Sequence, residues 1–194
     1  MTMWFTADWH LGHTNMAIRR GYLSSSAHDD ALYDFYCFKV KPEDIVYFLG
    51  DMAMTRSKAR LTDMFQNVKD LPGRKRLITG NHDANFPGSR TAYKYSTIYN
   101  DVFESVAPFG RIKYNQTQYL LSHFPYDGDS GSENRFNQFR LRDEDLSVIH
   151  GHTHSKDKRT LSEFGNWQLH CGVDAWNMEP VSIMELDRLT NENA

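Results

Sequence analysis

The segment HGHTH at residues 150–154 places three histidines in five positions. An extended or bent chain puts His152 and His154 on one side, whereas a helix points them to nearly opposite faces. A single metal centre could then bind both imidazoles. A solvated polar turn is the alternative for an isolated His-x-His pair, so the rest of the chain must decide between the two.

Side chains suited to metal binding also follow four other apolar segments. The carboxyl ends of strands in an open α/β sheet share one edge, where ligands bind. We therefore expect five loops to converge at such an edge. The polar ends of the five segments are Asp8-Trp9-His10, Gly50-Asp51, Gly80-Asn81-His82-Asp83, His123 and the HGHTH segment.

The chemistry of this set is that of Asp, Asn and His without cysteine. Such ligands suit Mn²⁺, Fe or Zn²⁺ rather than a thiolate-rich structural zinc. Seven of these side chains would already exceed what one tetrahedral ion can bind. Two ions about 3.5–4 Å apart, bridged by a carboxylate, would use them all, and such a pair stabilises phosphoryl oxygens and activates water at neutral pH.

Apolar runs of strand length predict the elements that carry these ligands. Strands are predicted at residues 3–7, 45–49, 77–79, 119–122 and 148–149. Helical patterns lie between the first three, which predicts an α/β fold with parallel pairing in the first half. After Asn100 the pattern favours antiparallel strands. The segments WQLHCGVD and PVSIMEL are predicted as further strands.

The first helical pattern begins near residue 26 and carries the stripe Leu32, Phe35, Tyr36 and Val40. Ser26 followed by Asp29 predicts its N-terminal cap, and we expect His28 on the surface. The second carries Leu61, Met64, Phe65 and Val68 and is stopped by Pro72-Gly73. Both stripes are predicted to pack in the core.

The composition of the 194 residues, 40% hydrophobic and 24% charged, is typical of one soluble globular domain. No run of about 18 apolar residues occurs, so we expect no membrane span. No signal peptide is expected before residue 8. Cys37 and Cys171 form no recognisable framework, which predicts reduced thiols in a cytoplasm. The net charge of −3 argues against general attraction to nucleic acid.

The ordered motifs D-x-H, G-D, G-N-H-D, a lone His and G-H-x-H resemble those of the calcineurin-like metallophosphoesterases. The likeness runs nearly the full length, and VKPEDIVYFLGDMA and GVDAWNMEPVSI resemble a compact branch found in bacteria and their phages. It implies a single domain over residues 1–194. It also implies a four-layer αββα sandwich of mixed sheets, with the metal site at the carboxyl ends of strands.

The resemblance implies seven metal ligands in two sets joined by a bridging carboxylate. They are Asp8, His10 and His154 for the first ion, Asn81, His123 and His152 for the second, and Asp51 for the bridge. The expected cofactors are two divalent ions, with Mn²⁺ favoured and Fe, Ni²⁺ or Zn²⁺ as alternatives.

His82 would lie beside the phosphate as general acid or charge stabiliser. Asp83 would orient it and raise its pKa. The implied mechanism is in-line attack on phosphorus by a metal-bridging hydroxide, without a phosphoenzyme.

The Gly/Ser/Asp-rich segment after His123, residues 124–142, is predicted as a mobile loop over the metals. Arg135 in this loop and His13 near the first motif are candidate substrate-binding residues. Asn15 and Arg19 are weaker candidates. Asp174 is expected to support a metal ligand.

Three functions remain open at this stage. The first is a phosphodiesterase acting on a small nucleotide or cyclic nucleotide. The second is a nuclease acting on DNA or RNA, for which the negative net charge is unfavourable. The third is a catalytically silent protein-binding scaffold. The native substrate, the metal and the oligomeric state are not predicted.

Overall fold

A computed structural model describes residues 1–131, 133 and 135–191. Its strands are β1 (Met3–Thr6), β2 (Ile45–Phe48), β3 (Arg74–Ile78), β4 (Ser105–Ala107), β5 (Phe109–Tyr114), β6 (Thr117–Ser122), β7 (Ser147–His150), β8 (Arg159–Leu161), β9 (Trp167–His170) and β10 (Val181–Ser182). Its α-helices are α1 (Thr14–Arg19), α2 (Ser25–Lys39), α3 (Lys58–Asp70), α4 (Ser96–Asn100) and α5 (Ile183–Asn191). Two short 3₁₀ helices cover Ala92–Lys94 and Asn137–Phe139.

The strands form two five-stranded sheets, ordered β10-β1-β2-β3-β4 and β5-β6-β7-β9-β8. In the first sheet β1 to β4 pair in parallel and β10 is antiparallel. In the second sheet the central β6-β7-β9 pairs are parallel and the outer pairs antiparallel. The predicted α/β fold of mixed sheets with helices is confirmed.

Two apolar clusters hold the layers together. The stripes of α2 and α3 pack on one face of the first sheet, through residues such as Leu32, Tyr36 and Phe65. The second cluster lies between the two sheets and includes Leu49 and Ile149. Helix α5 joins this second cluster and packs against strands of both sheets. Within the described residues, no helix has the length and apolarity that crossing a bilayer requires.

The start of α2 differs from the prediction. Its N-cap is Ser24, whose side chain accepts a hydrogen bond from the backbone N–H of Ala27, and Ser26 already lies in the helix. Ser24 and Ser26 have the same chemistry, so composition alone does not separate them. Phe35 of the predicted stripe lies exposed, while Leu32 and Tyr36 are buried as predicted.

The predicted strand PVSIMEL is wrong beyond its first residues. Only Val181 and Ser182 are extended, and α5 begins at Ile183. Ser182 and Glu185 form a reciprocal capping box: the Ser182 hydroxyl accepts from the Glu185 N–H at 3.2 Å, and the Glu185 carboxylate accepts from the Ser182 N–H at 3.0 Å. The S-x-x-E spacing that produces this start was readable in the sequence.

The ends of β1, β2, β3, β6 and β7 meet at one edge of the two sheets, where the chain is crowded. Gly50 has φ +92°, and a Cβ there would lie 2.5 Å from the Gly80 backbone nitrogen and 2.6 Å from Nδ1 of His123. Position 50 therefore favours glycine for two reasons: its backbone is left-handed, and there is no room for a Cβ.

Gly50→Ala should destabilise the protein through both effects. Backbone strain contributes about 1–2 kcal/mol and overpacking about 1–3 kcal/mol. The matched control is Gly128→Ala, since Gly128 has φ +89° but open space where a Cβ would be added. Chemical denaturation should show a larger loss of unfolding free energy for Gly50→Ala; equal losses would show that crowding is unimportant.

Candidate metal centre

Five of the seven predicted ligands have left-handed backbones, with φ between 50° and 71°. Non-glycine residues rarely adopt this conformation, and its clustering is typical of functional sites. Cross-loop hydrogen bonds hold two of them, from the N–H of Asp8 to Gly50 O at 3.0 Å and from the N–H of His10 to Asp51 O at 2.9 Å. The five are Asp8, His10, Asp51, His152 and His154.

A first group of donor atoms comes from Asp8, His10 and His154, and all three atoms lie within 4.8 Å of one another. The Nε2 atoms of His10 and His154 are 3.2 Å apart. Asp8 and His10 are buried, and His154 is partly exposed. Two imidazole nitrogens and a carboxylate at this spacing fit one divalent ion.

A second group, equally close, comes from Asp8, Asp51 and His123. Asn81 adds its side-chain oxygen, 3.1 Å from Nε2 of His123. The Nδ1 atom of His123 lies 2.7 Å from the Leu49 carbonyl oxygen, which leaves Nε2 to face the group. The donor set therefore fits a second ion beside the first.

Two carboxylates lie between the groups. Asp51 Oδ2 is 3.8 Å from Nε2 of His10 and 3.5 Å from Nε2 of His123, so it reaches toward both sides, as a bridging ligand would. Asp8 belongs to both groups. Its shared position was not predicted, because the resemblance assigned Asp8 to the first ion alone.

His152 lies beside these groups but is not a member of either. Its backbone N–H donates to both carboxylate oxygens of Asp8, each at 3.0 Å. Its ring centroid is 5.1 Å from that of His123. Its Nε2 atom lies 3.2 Å from Oδ1 of Asp129, a residue of the 124–142 loop.

A buried network supports His154 from behind. Its Nδ1 atom lies 2.8 Å from the Asp174 carboxylate, which leaves Nε2 for the first ion. Arg20 donates to both Asp174 oxygens, at 3.0 and 2.6 Å, and to the Asp8 carbonyl at 2.8 Å. Burial raises the pKa of Asp174, but the hydrogen bonds from His154 and Arg20 outweigh it and hold this pKa below the ordinary value.

Arg20 was missed by the sequence analysis, which considered the exposed Arg19 instead. The prediction of a surface His28 is also wrong. His28 is fully buried, with Nε2 at 3.0 Å from the Arg20 guanidinium and Nδ1 at 2.9 Å from Asp29. A helix-start position suggests exposure, but α1 covers this end of α2.

His82 is the exposed side chain of the cluster, with 44% of its surface accessible. Its Nε2 atom lies 4.0 Å from Asp51 Oδ2, and its ring centroid is 5.4 Å from that of His10. Burial of the ring, followed by the electrostatic effect of His123 and His154, lowers the pKa of His82 to about 4. His82 thus lies at the solvent-facing mouth of the group, next to the Asp51 carboxylate.

The predicted role of Asp83 is not supported, because its carboxylate does not reach His82. Instead it accepts hydrogen bonds from three backbone N–H groups, those of Asp51, Met52 and Gly80, at 2.8–3.0 Å. Asp83 thus fixes the two loops that carry Asp51 and Asn81. The predicted rise in the pKa of His82 is also contradicted, because burial of the ring lowers this pKa.

Comparison with known proteins identifies the family of this chain. The sequence model of the calcineurin-like phosphoesterases matches residues 1–156. The chain belongs to the calcineurin-like phosphoesterase family. It is similar to the Gene 66 proteins of two Mycobacterium phages. That of phage D29 is 39% identical over 98% of this chain and 96% of its own length, and that of phage L5 is 42% identical over 89% and 86%.

A solved structure of a protein of unknown function from Aquifex aeolicus covers 97% of this chain and 98% of its own, with a TM-score of 0.71 at 22% identity. At this identity the similarity shows a shared fold. The shared fold therefore extends along nearly the whole chain.

The two candidate substrate contacts, His13 and Arg135, differ in position. The His13 ring centroid lies 6.0 Å from that of His10, at the rim of the site. Arg135 pairs with Asp129 at 2.6 Å and is 54% exposed. Both roles stay predictions.

Within the described residues of the 124–142 loop, which leave out Ser132 and Asn134, Arg140 forms hydrogen bonds that hold the loop together. Arg140 donates to the carbonyls of Pro125 and Gly128, both at 2.8 Å, and to that of Arg135 at 3.0 Å. The loop is folded onto the His152 side of the site.

Asp174→Asn should weaken metal binding at the group of Asp8, His10 and His154 by about 10–100-fold, because the imidazole of His154 loses its charged partner. Calorimetric titration of metal-free protein with Mn²⁺ measures this. Asp157→Asn, an equal charge change on an exposed residue near His154, should bind as wild type. Unchanged affinity in Asp174→Asn would show that the network serves folding only.

Proposed function

We propose that this chain is a dinuclear-metal phosphodiesterase that hydrolyses a small nucleotide or cyclic nucleotide. The observation that carries the proposal is the pair of adjacent donor groups sharing Asp8, with Asp51 reaching toward both. Two divalent ions held there, Mn²⁺ being favoured, would supply Lewis-acid stabilisation of phosphoryl oxygens and activate water. A cytoplasmic location is part of the proposal and agrees with the free thiols of Cys37 and Cys171.

The protein's own groups have three tasks in this reaction. Asp8, Asp51 and the histidines hold their donor atoms in a rigid, buried array, so little reorganisation is needed when charge develops. His82, exposed at the mouth, donates a hydrogen bond or a proton to the leaving oxygen. Asp83 keeps the Asn81 and Asp51 loops together through the backbone.

Two recesses beside the site support a diester over a monoester. One, of about 260 Å³, lies next to His154 and is lined by Arg19 and Lys156 among others. The other, of about 170 Å³, is formed by Met54, Thr55, Arg56 and His82. A phosphodiester has a substituent on each side of phosphorus, and each recess could take one of them.

The basic recesses also favour a second candidate, a nuclease acting on DNA or RNA. Cations on either side of the metal groups would contact phosphates flanking the scissile one. Cleavage of oligonucleotides that falls steeply with salt, with a slope indicating several phosphate contacts, would support this function. Metal-loaded protein that hydrolysed no phosphate ester would instead favour a binding scaffold.

The decisive experiment is a rate panel on metal-stripped protein reloaded with Mn²⁺, Fe²⁺, Ni²⁺ or Zn²⁺. Its substrates are bis- and mono-p-nitrophenyl phosphate, cyclic nucleotides and oligonucleotides. The proposal expects diesters to be hydrolysed faster than monoesters, and cyclic nucleotides faster than oligonucleotides. A monoester preference would contradict it.

Asp51→Ala should lose bound metal and activity together, because its carboxylate faces both donor groups. Metal content after gel filtration and the hydrolysis rate of bis-p-nitrophenyl phosphate measure the two losses. Asp63→Ala, at an exposed position of α3, is the control and should retain both. A variant that kept two ions would refute the bridging role.

His82→Ala should keep its metal and lose turnover by about 10²–10⁴-fold. The loss should be greatest for esters with poor leaving groups, because these depend most on protonation of the departing oxygen. Steady-state rates across a series of leaving groups test this. Wild-type turnover of the poorest leaving groups would exclude an acid role for His82.

A further inference from the structure

Two histidines of the site, His123 and His154, share a pattern in how their second ring nitrogen is held. In His123 the Nδ1 atom lies 2.7 Å from the Leu49 carbonyl oxygen, and in His154 it lies 2.8 Å from the Asp174 carboxylate. Such contacts set the tautomer and the ring orientation, and they decide which nitrogen an ion can use. The ring of His152 makes a different contact, through its other nitrogen.

The buried nitrogen of His152 is Nε2, which lies 3.2 Å from Oδ1 of Asp129. Within the described residues no hydrogen bond of full geometry reaches this nitrogen, so the short contact with the Asp129 carboxylate is the interaction that can hold it. The Asp129 side chain has no accessible surface, although it lies on a loop at the protein surface. Burying a carboxylate is costly unless it is paired, so the position of Asp129 against an imidazole requires explanation.

Other residues of the 124–142 loop orient the Asp129 carboxylate and pair with its charge. Arg135 donates to Asp129 from its guanidinium at 2.6 Å and from its backbone N–H at 2.9 Å, and Ser130 donates its N–H at 2.7 Å. The Arg140 guanidinium lies 3.5 Å away. Burial raises the pKa of Asp129, but hydrogen bonds from Arg135 and His152 hold it below the ordinary value, so the group is ionised.

We propose that Asp129 is a positioning residue for the second metal ion. Its carboxylate holds Nε2 of His152, which leaves Nδ1 as the nitrogen that can face the ion. Asp129 then serves His152 as Asp174 serves His154, with the difference that it comes from the 124–142 loop. The fold of this loop therefore sets the affinity of the second ion. The proposal rests on the two-metal function proposed above.

The experiment is a stepwise Mn²⁺ titration of metal-free protein, followed by calorimetry and by the electron paramagnetic resonance signal of coupled manganese pairs. Wild type should bind two ions. Asp129→Ala should bind the first with unchanged affinity and the second about 10–100-fold more weakly. The coupled-pair signal should be lost at ion concentrations that saturate wild type. Asp129→Glu, which keeps a carboxylate, should recover part of the affinity.

Two controls separate positioning from general effects. Glu133→Gln removes a negative charge from an exposed position of the same loop and should titrate as wild type. Thermal unfolding of the metal-free variants checks the fold. With excess Mn²⁺, Asp129→Ala should recover wild-type kcat while needing more metal to do so.

Each other outcome overturns the inference. Unchanged affinity for both ions in Asp129→Ala would show that the contact with His152 has no effect on the metal. Equal weakening of both ions with a lower melting temperature would make Asp129 a structural residue. A wild type that bound one ion would refute the two-metal function as well, whereas two ions in wild type with an unaffected variant refutes this inference alone.

Discussion

The crowding of carboxylates at one sheet edge is the constraint on which the rest of the site depends. Asp8, Asp51 and Asp83 are all buried there. Burial, followed by the negative charges of Asp8 and Asp83, raises the pKa of Asp51 well above its ordinary value. One of the three, Asp83, accepts hydrogen bonds from three backbone N–H groups. The other two face the histidines, where divalent cations would offset their charge.

Loop geometry follows from this constraint. Side chains that must point into one small volume from five strand ends cannot all keep extended backbones, which explains the left-handed conformations of five ligands. Strain of this kind persists only where the surroundings fix it. Cross-loop hydrogen bonds from the N–H groups of Asp8 and His10 help to hold these backbones. The space that Gly50 leaves free lets the loops approach each other.

Much of the site could be predicted from the sequence because its ligands directly follow apolar runs, and strand direction brings such ends together. The residues that hydrogen-bond to the ligands from outside the donor groups could not be predicted from the sequence. Arg20 and Asp174 are 154 residues apart, and no local pattern reports their contact. The carboxylate of Asp83 is next to His82 in the sequence and was expected to pair with it, yet the turn directs Asp83 toward backbone N–H groups. In the fold, the start of α5 was readable from Ser182 and Glu185 but was obscured by the apolar run around it.

The candidate ligands come from both sheets. Asp8, Asp51 and Asn81 follow strands of the first, while His123, His152 and His154 follow strands of the second. The separation of any two ions they hold is therefore a measure of how the sheets are stacked. A displacement of one sheet relative to the other would change the distances between these two sets of candidate ligands. The apolar layer containing Leu49 and Ile149 thus sets the distance between the two sets of candidate ligands and also stabilises the fold.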